Sequence, residues 1–329
     1  MLDALRRLGR RVILFFLGNS IVIVFIVLCV VMGFASNKFF TTRNWMNILA
    51  NFSVTGIVSI GVAIVMIAGG LDLSFGPILG SCAILATLFQ PNSFALAILL
   101  PIVLGAALGS VNGLVIARAG TNPLVTTLGT QWLFYSALMI ITDGHLVQGN
   151  QKTFFKEIGY GRVLGVPFPP ILMVIVCILA WFILRHTLFG KYVYAHGSRQ
   201  RALSYAGVNT KNVYLFAYLV MGIIIGIGGV LFSSREIGVR PTEGSTYLIP
   251  VLTAVILSGV SLSGGIGSVF NVMIAALTLG VLDNAMVLLA VDYKNQLMVR
   301  GIIFILAVIY NGLMVMQRDF YLTRLSQRR

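Results

Sequence analysis

The sequence predicts an all-α, polytopic membrane protein with about ten transmembrane helices, some of them short or broken. Three observations carry that prediction. The chain of 329 residues is 58% hydrophobic and only 10% charged, and its mean hydropathy of +0.97 is far above that of soluble domains. Its apolar residues gather into runs near the roughly 20 that a helix needs to cross a hydrocarbon core about 30 Å thick. Between the runs lie short polar, glycine-rich breaks.

In chain order the candidate spans are Val12–Phe34, Ile48–Ala68, Ile78–Phe89, Phe94–Ile116, Pro123–Ile141, Pro169–Leu184, Val213–Phe232, Leu248–Val260, Val269–Ala290 and Leu297–Met316. Ile78–Phe89, Leu248–Val260 and, marginally, Pro169–Leu184 are too short to cross as upright helix, so each borrows residues from a neighbouring loop or is broken. The arginine-rich Met1–Arg11 followed by Val12–Phe34 has the outline of a signal peptide. Its apolar run is too long for one, however, and Gly33-Phe-Ala-Ser36 is a poor cleavage site, so an uncleaved first span is expected. With no Pro/Ser-rich linker or charge block, residues 1–329 read as a single transmembrane domain.

The net charge of +14 suggests nucleic acid, but the placement of the basic residues argues otherwise. The two tails and the segment 185–212 alone hold 13 of the 23 Lys/Arg residues, and with ten spans all three lie on one side. That asymmetry predicts cytoplasmic termini and a cytoplasmic 185–212 loop. The segment 142–168 is then external. Cys29, Cys82 and Cys177 sit separately in apolar runs, and His145, His186 and His196 are scattered, so neither a disulfide framework nor a metal site is expected.

The cytoplasmic loop contains Ser198-Arg-Gln-Arg-Ala-Leu-Ser-Tyr-Ala-Gly207, which opens on an N-cap residue and closes on glycine, as a short helix does. Ala202, Leu203, Tyr205 and Ala206 form a small, apolar face, and Arg199 and Arg201 stay polar. Such a helix suits docking into a groove of a soluble partner. From the pattern alone, a solvated basic loop that merely sets topology is equally open.

Asp72 lies in Ala68-Gly-Gly-Leu-Asp-Leu-Ser-Phe-Gly-Pro77, a polar break between two apolar runs, and Val255-Ile-Leu-Ser-Gly-Val-Ser-Leu-Ser-Gly-Gly-Ile-Gly-Ser268 is a second one. Non-helical backbone at membrane depth must be buried in protein or line a wet cavity. Two interruptions in the two halves point to a transporter with its route at the breaks. Asp72 either lines that route or caps backbone N–H groups exposed by the break. Gly105, Gly109 and Gly113 share one helix face and predict a close helix–helix approach. The chain lacks a phosphate-binding Gly-x4-Gly-Lys-Ser/Thr loop, a His-Glu-x2-His pair and a Gly-x-Ser-x-Gly elbow, so neither ATP binding by that loop nor hydrolytic chemistry is expected of it. Asp72 and Asp283 are the few acids inside spans, with no Lys or Arg evident inside a span to pair with them.

With these residues in view, the chain resembles the permease subunits of bacterial ATP-binding-cassette importers, in the ribose/galactoside/autoinducer-2 branch. The likeness rests on Gly69-Gly-Leu-Asp-Leu-Ser-Phe-Gly76, Asn122-Pro-Leu-Val-Thr-Thr-Leu-Gly129, Thr187-Leu-Phe-Gly-Lys-Tyr-Val-Tyr-Ala195 and Ala254-Val-Ile-Leu-Ser-Gly-Val-Ser-Leu-Ser-Gly-Gly-Ile-Gly-Ser268. It departs at Ser258, at Asn271-Val272 and at His196-Gly-Ser198. The resemblance implies a type II importer-like fold in the bacterial inner membrane, ten spans per subunit and a pore formed with a second permease chain, identical or paralogous. It also implies cytoplasmic ATPases that bind the ATP and magnesium, and a periplasmic sugar-binding protein. The ATPase would dock on the loop after the sixth span, at Ser198, Arg199, Arg201, Ala202, Leu203, Tyr205, Ala206 and Gly207.

The function expected is therefore passage of a small neutral sugar or sugar-like solute, with no catalysis in this chain. A neutral polyol needs hydroxyl and amide partners without strong fixed charge. Asp72, Ser74, Asn122, Thr126, Gln131, Ser258 and Asn284 are the candidate path or gate residues. The alternative is an ion- or proton-coupled carrier titrating Asp72 and Asp283, against which the scarcity of intramembrane charge counts.

Overall fold

A computed structural model describes residues 20–150 and 153–326. The basic segment Met1–Arg11 and the start of the first span lie outside the described residues. The described chain forms twelve α-helices: α1 (Ser20–Ala35), α2 (Thr42–Ile67), α3 (Phe75–Phe89), α4 (Phe94–Ala119), α5 (Pro123–Thr142), α6 (Lys156–Tyr160), α7 (Phe168–His186), α8 (Leu188–Tyr205), α9 (Thr210–Arg235), α10 (Leu248–Leu257), α11 (Val269–Leu288) and α12 (Tyr293–Ser326). A 3-10 turn, Glu243–Tyr247, leads into α10. Among the described residues seven helices are long and apolar enough to cross a membrane: α2, α4, α5, α7, α9, α11 and α12. Ile21–Ala35, Phe75–Phe89 and Glu243–Leu257 are shorter apolar helices. Together they fall on the ten predicted spans.

Two of the three spans predicted to be short are so. The 15 residues of α3 make a helix about 22 Å long, and the ten of α10 one of about 15 Å. Each borrows from its neighbours: α3 from the extended segment 68–74, α10 from the 3-10 turn before it and the loop 258–268 after it. The third, α7, gains Phe168, Arg185 and His186 at its ends and reaches 19 residues.

The middle of the core is α2, buried continuously from Ser53 to Ile67, with α9 beside it. The predicted glycine face of α4 meets α9 at backbone contact. A Cβ on Gly105 would fall on the Gly222 carbonyl oxygen, one on Gly109 on the Tyr218 carbonyl oxygen, and one on Gly113 would come within 2.9 Å of Tyr218 Cβ. The helices approach because α4 carries no side chain at these three positions and α9 none at Gly222.

At one end of the bundle the predicted external loop is partly structured. There β1 (Val147–Gln148) pairs antiparallel with β4 (Gly238–Val239), and β2 (Arg162–Val163) with β3 (Val166–Pro167). Two-residue strands leave no periodicity to read in a sequence. At the opposite end α8 and the two glycine-rich breaks come together.

Gly109→Leu is expected to abolish recovery of monodisperse protein from membranes, because α4 and α9 must part. Gly109→Ala should cost about 1–3 kcal/mol by overpacking. Gly129→Ala on α5, where no atom lies within 4 Å of the added Cβ, should be neutral to folding or stabilise by up to about 1 kcal/mol. Thermal melts of the purified variants check the order; equal stability at Gly109 and Gly129 would contradict the close approach.

Candidate functional site

The first break begins where α2 stops. Gly69 takes φ +86, and the Gly69 and Gly70 amides donate back to Met66 and Val65 at 3.0 and 2.9 Å, a glycine-dependent helix end. Beyond it the chain runs without helix until Phe75, and several carbonyls at and beyond the end of α2 are met from other elements. The Ala68 carbonyl lies 2.8 Å from His196 Nδ1 on α8. The Leu71 carbonyl accepts from Thr127 Oγ1 on α5 at 3.2 Å and from Tyr218 Oη on α9 at 3.4 Å. The Ile67 carbonyl accepts the Gly265 amide of the second break at 2.8 Å.

Asp72 is fully buried, 0% exposed. Its Oδ1 accepts from the Ser74 amide at 2.6 Å and from Ser74 Oγ at 2.7 Å, so the carboxylate folds over the start of α3. Its Oδ2 accepts from Asn112 Nδ2 on α4 at 3.1 Å, and the same amide donates to Ser74 Oγ at 2.7 Å. Sequence reasoning missed Asn112. The signal was present: a lone amide between Gly109 and Gly113 in an apolar span is costly without a buried partner. Asn112 Oδ1 remains buried without one.

The second break packs into the first. A Cβ on Gly264 would lie 2.6 Å from Gly69 Cα and 3.0 Å from Gly197 Cα, so three glycines from three motifs touch at backbone distance. Around them Tyr194 Oη on α8 donates to the Gly267 carbonyl at 2.9 Å, and Asn311 Nδ2 on α12 to the Val260 carbonyl at 2.9 Å. A cavity of about 500 Å³ opens beside this junction, lined among others by Gly69, Thr121, His196, Gln200, Lys211 and Tyr214.

The helix predicted at Ser198–Gly207 is the second half of a longer element. Thr187 caps the first half by accepting the Gly190 amide at 3.2 Å. The second half starts within a residue of the predicted cap, but Ser198 does not cap it, because its Oγ bonds back to the Tyr194 carbonyl at 2.9 Å. The interruption comes at Arg199, with φ −155 and ψ 76. The glycine end stands as read, since Gly207 has φ +81 and Val208 N donates to the Leu203 carbonyl at 3.3 Å. In this second half Leu203 points inward, whereas Arg199, Arg201, Ala202 and Ala206 are exposed and Tyr205 is 90% exposed.

Of the candidate path residues, Asp72 and Ser74 are brought together. Asn122 caps α5, accepting the Leu124 amide at 2.9 Å, and Thr126 Oγ1 donates to the Asn122 carbonyl at 3.0 Å and to Thr121 Oγ1 at 2.7 Å. Gln131 is half-buried further along α5. Ser258 closes α10, its hydroxyl on the Val255 carbonyl at 2.6 Å. Asn284 lies away from the breaks in a reciprocal amide pair with Asn44, at 3.0 and 2.8 Å. Asp283 is not unpaired as the sequence suggested. Arg300, two turns into α12, donates Nε to Oδ1 at 2.9 Å and Nη2 to Oδ2 at 3.0 Å. The tight reversal between α11 and α12 brings together residues that looked to be in separate spans. Among the described residues no three His, Cys, Asp or Glu side chains group as metal ligands do.

Comparison with known proteins shows the family. Residues 44–308 match the family described as "Branched-chain amino acid transport system / permease component". The chain is 34% identical over 296 residues to the ribose import permease protein RbsC of Escherichia coli (strain K12), covering 88% of this chain and 92% of the relative. It is 32% identical over 292 residues to the Haemophilus influenzae RbsC, covering 87% and 90%. It is also 32% identical over 267 residues to the autoinducer 2 import system permease protein LsrD of Salmonella paratyphi B, covering 79% and 80%. No solved structure matches. The chain belongs to this family of membrane permease components, which are transport subunits and not enzymes.

Proposed function

We propose that this chain is the translocation subunit of an ATP-driven importer that carries a small neutral sugar or sugar-like solute, of the ribose or autoinducer-2 class, across the bacterial inner membrane into the cytoplasm. The observation that carries this reading is the meeting of two broken membrane segments with one exposed, kinked helix at a single end of the molecule. The outer half of α8 presents Ala202, Tyr205 and Ala206 to solvent, and its inner half is wedged against both breaks. That arrangement suits a surface on which a soluble ATPase seats and through which its movement reaches the membrane. The similarity to ribose, allose and autoinducer-2 permeases over most of the chain supports the solute class.

Partners follow from the same reading: cytoplasmic ATPase subunits on α8, a periplasmic sugar-binding protein at the opposite end, and a second permease chain. Support for the second chain comes from α5, a span that exposes Val125, Trp132 and Leu133 and carries half-buried Gln131 beside them. The Gln131 side chain makes no hydrogen bond among the described residues, and a half-buried amide beside exposed apolar side chains suits another protein surface or a wet path better than lipid. Cytoplasmic tails follow from the basic residues concentrated there and in 185–212. A carrier coupled to protons needs an acid free to titrate, and here Asp283 is paired with Arg300 while Asp72 is enclosed by donors.

Uptake of labelled ribose or autoinducer-2 by cells expressing the importer should survive a proton uncoupler and stop when ATP is exhausted. Ala206→Arg should abolish both uptake and copurification of the ATPase while the chain still inserts, since the enlarged face cannot seat. Uptake that follows the proton gradient, or an Ala206→Arg variant that transports normally with its ATPase attached, would overturn the reading.

Asp72 acts in this account as a structural carboxylate. In Asp72→Asn the introduced amide keeps one oxygen for the Ser74 donors, and rotation of the Asn112 amide offers its unpaired Oδ1 to the new N–H. The cost should be about 1–3 kcal/mol, with uptake reduced but still ATP-dependent. Asp72→Leu strands the Ser74 and Asn112 donors and should insert poorly. Membrane accumulation and uptake of the two variants decide; an Asp72→Leu protein that matches the parent would show that the carboxylate has no structural role.

A further inference from the structure

The tightest point of the junction lies behind the exposed half of α8, at His196 and Gly197. A Cβ on Gly197 would fall on the Ile67 carbonyl oxygen and the Gly265 amide nitrogen. So α8 abuts the end of α2 and the second break with no side chain between. His196 stands beside this contact, 6% exposed, with Nδ1 2.8 Å from the Ala68 carbonyl oxygen. A carbonyl only accepts, so Nδ1 carries the proton. Burial holds this imidazole below the usual histidine pKa, with the bond to Ala68 pulling the other way. The neutral ring then turns Nε2 inward as a lone pair without a partner. It packs on Tyr214 with centroids 4.8 Å apart, and Tyr214 on Tyr218 at 5.6 Å. Tyr218 in turn donates to the Leu71 carbonyl at 3.4 Å. The imidazole thus grips the first break at Ala68 directly and at Leu71 through two tyrosines.

Packing and hydrogen bonding do different work here. The glycine contact resists approach, so it passes a push from α8 to the breaks, but it offers nothing against separation. A directional bond from α8 to the break resists separation, so it passes a pull.

We propose that His196 is a positioning residue for transport: its Nδ1–H bond to the Ala68 carbonyl makes the break before Asp72 follow α8 when the seated ATPase draws α8 away. The proposal rests on the importer reading above and adds to it the residue that carries the return stroke to the first break, while Tyr194 Oη on the Gly267 carbonyl ties α8 to the second. Other donors leave the assignment distinct. Thr127 and Tyr218 hold Leu71 from membrane helices, and Asn112 holds Asp72 from α4; of these ties to the first break's carbonyls, the His196 bond is the one that comes from α8.

The test uses the whole importer, with its ATPase and binding protein, in proteoliposomes, reading ATP hydrolysis and uptake of ribose or autoinducer-2 side by side. His196→Asn keeps an N–H donor near the place of Nδ1; His196→Phe keeps a ring on Tyr214 and has no donor. Both should retain the ATPase on purification. Solute moved per ATP should fall about tenfold in His196→Phe, the factor that one buried hydrogen bond represents, and stay within about threefold of the parent in His196→Asn. If the Phe variant does not accumulate, His196→Leu takes its place with the same expectation. A donorless variant with the parental ratio overturns the proposal, as does an Asn variant that falls as far as the donorless one with its ATPase bound. A parent complex that holds no ATPase and shows no ATP-dependent uptake overturns the importer reading instead.

Discussion

Backbone that leaves helical geometry inside a membrane protein must find hydrogen-bond partners within the protein, and the segment 68–74 is where this chain meets that requirement. Its carbonyls at Ala68 and Leu71, with that of Ile67 just before it, are answered from the second break, α8, α5 and α9, and its one carboxylate from its own next turn and α4. Much of the architecture follows from that obligation. The glycines of α4 let it come close enough to α9 for Asn112 to reach Asp72. The glycines at 69, 197 and 264 let three segments meet without side chains between them. A break that costs several kcal/mol if left unpaired becomes the point where five elements are joined.

The same reasoning explains which parts of the fold were legible in the sequence. Apolar runs of about 20 residues mark spans because lipid demands them, and the short runs at α3 and α10 betrayed the breaks by their length alone. The glycine repeat on α4 and the glycine ending α8 at Gly207 were readable, since each answers a local steric need. What escaped depended on partners remote in sequence. Asn112 is 40 residues from Asp72, and Asn44 is 240 from Asn284. No local pattern marks such pairs. Arg300 was visible as a charge but not as the partner of Asp283, because the reversal that joins them lies between two apolar runs. Ser198 looked like an N-cap because serine before a polar-apolar run usually is one; the chain does break there, at Arg199, but the Ser198 hydroxyl turns back to the Tyr194 carbonyl instead of capping the helix that follows.

Function was legible in a parallel way. The absence of a phosphate-binding loop and the sparse intramembrane charge point toward a permease worked by other chains, and the ordered motifs point to the family. The relatives bear out the family; the solute rests on similarity and on the neutral, hydroxyl-rich character of the polar groups near the breaks. Asp72, the most conspicuous residue in the sequence, gains a definite geometry: it folds over the first turn of α3 instead of standing free in a cavity.

The central claim is that the two breaks are one buried, hydrogen-bonded junction with α8. Hydrogen–deuterium exchange of the protein in lipid nanodiscs measures this directly. Although they lie in glycine-rich non-helical stretches, the amides of Gly69, Gly70 and Gly265 are each bonded, and should exchange as slowly as those in the middle of α2. Exchange as fast as that of the exposed loop around His145 would contradict the account.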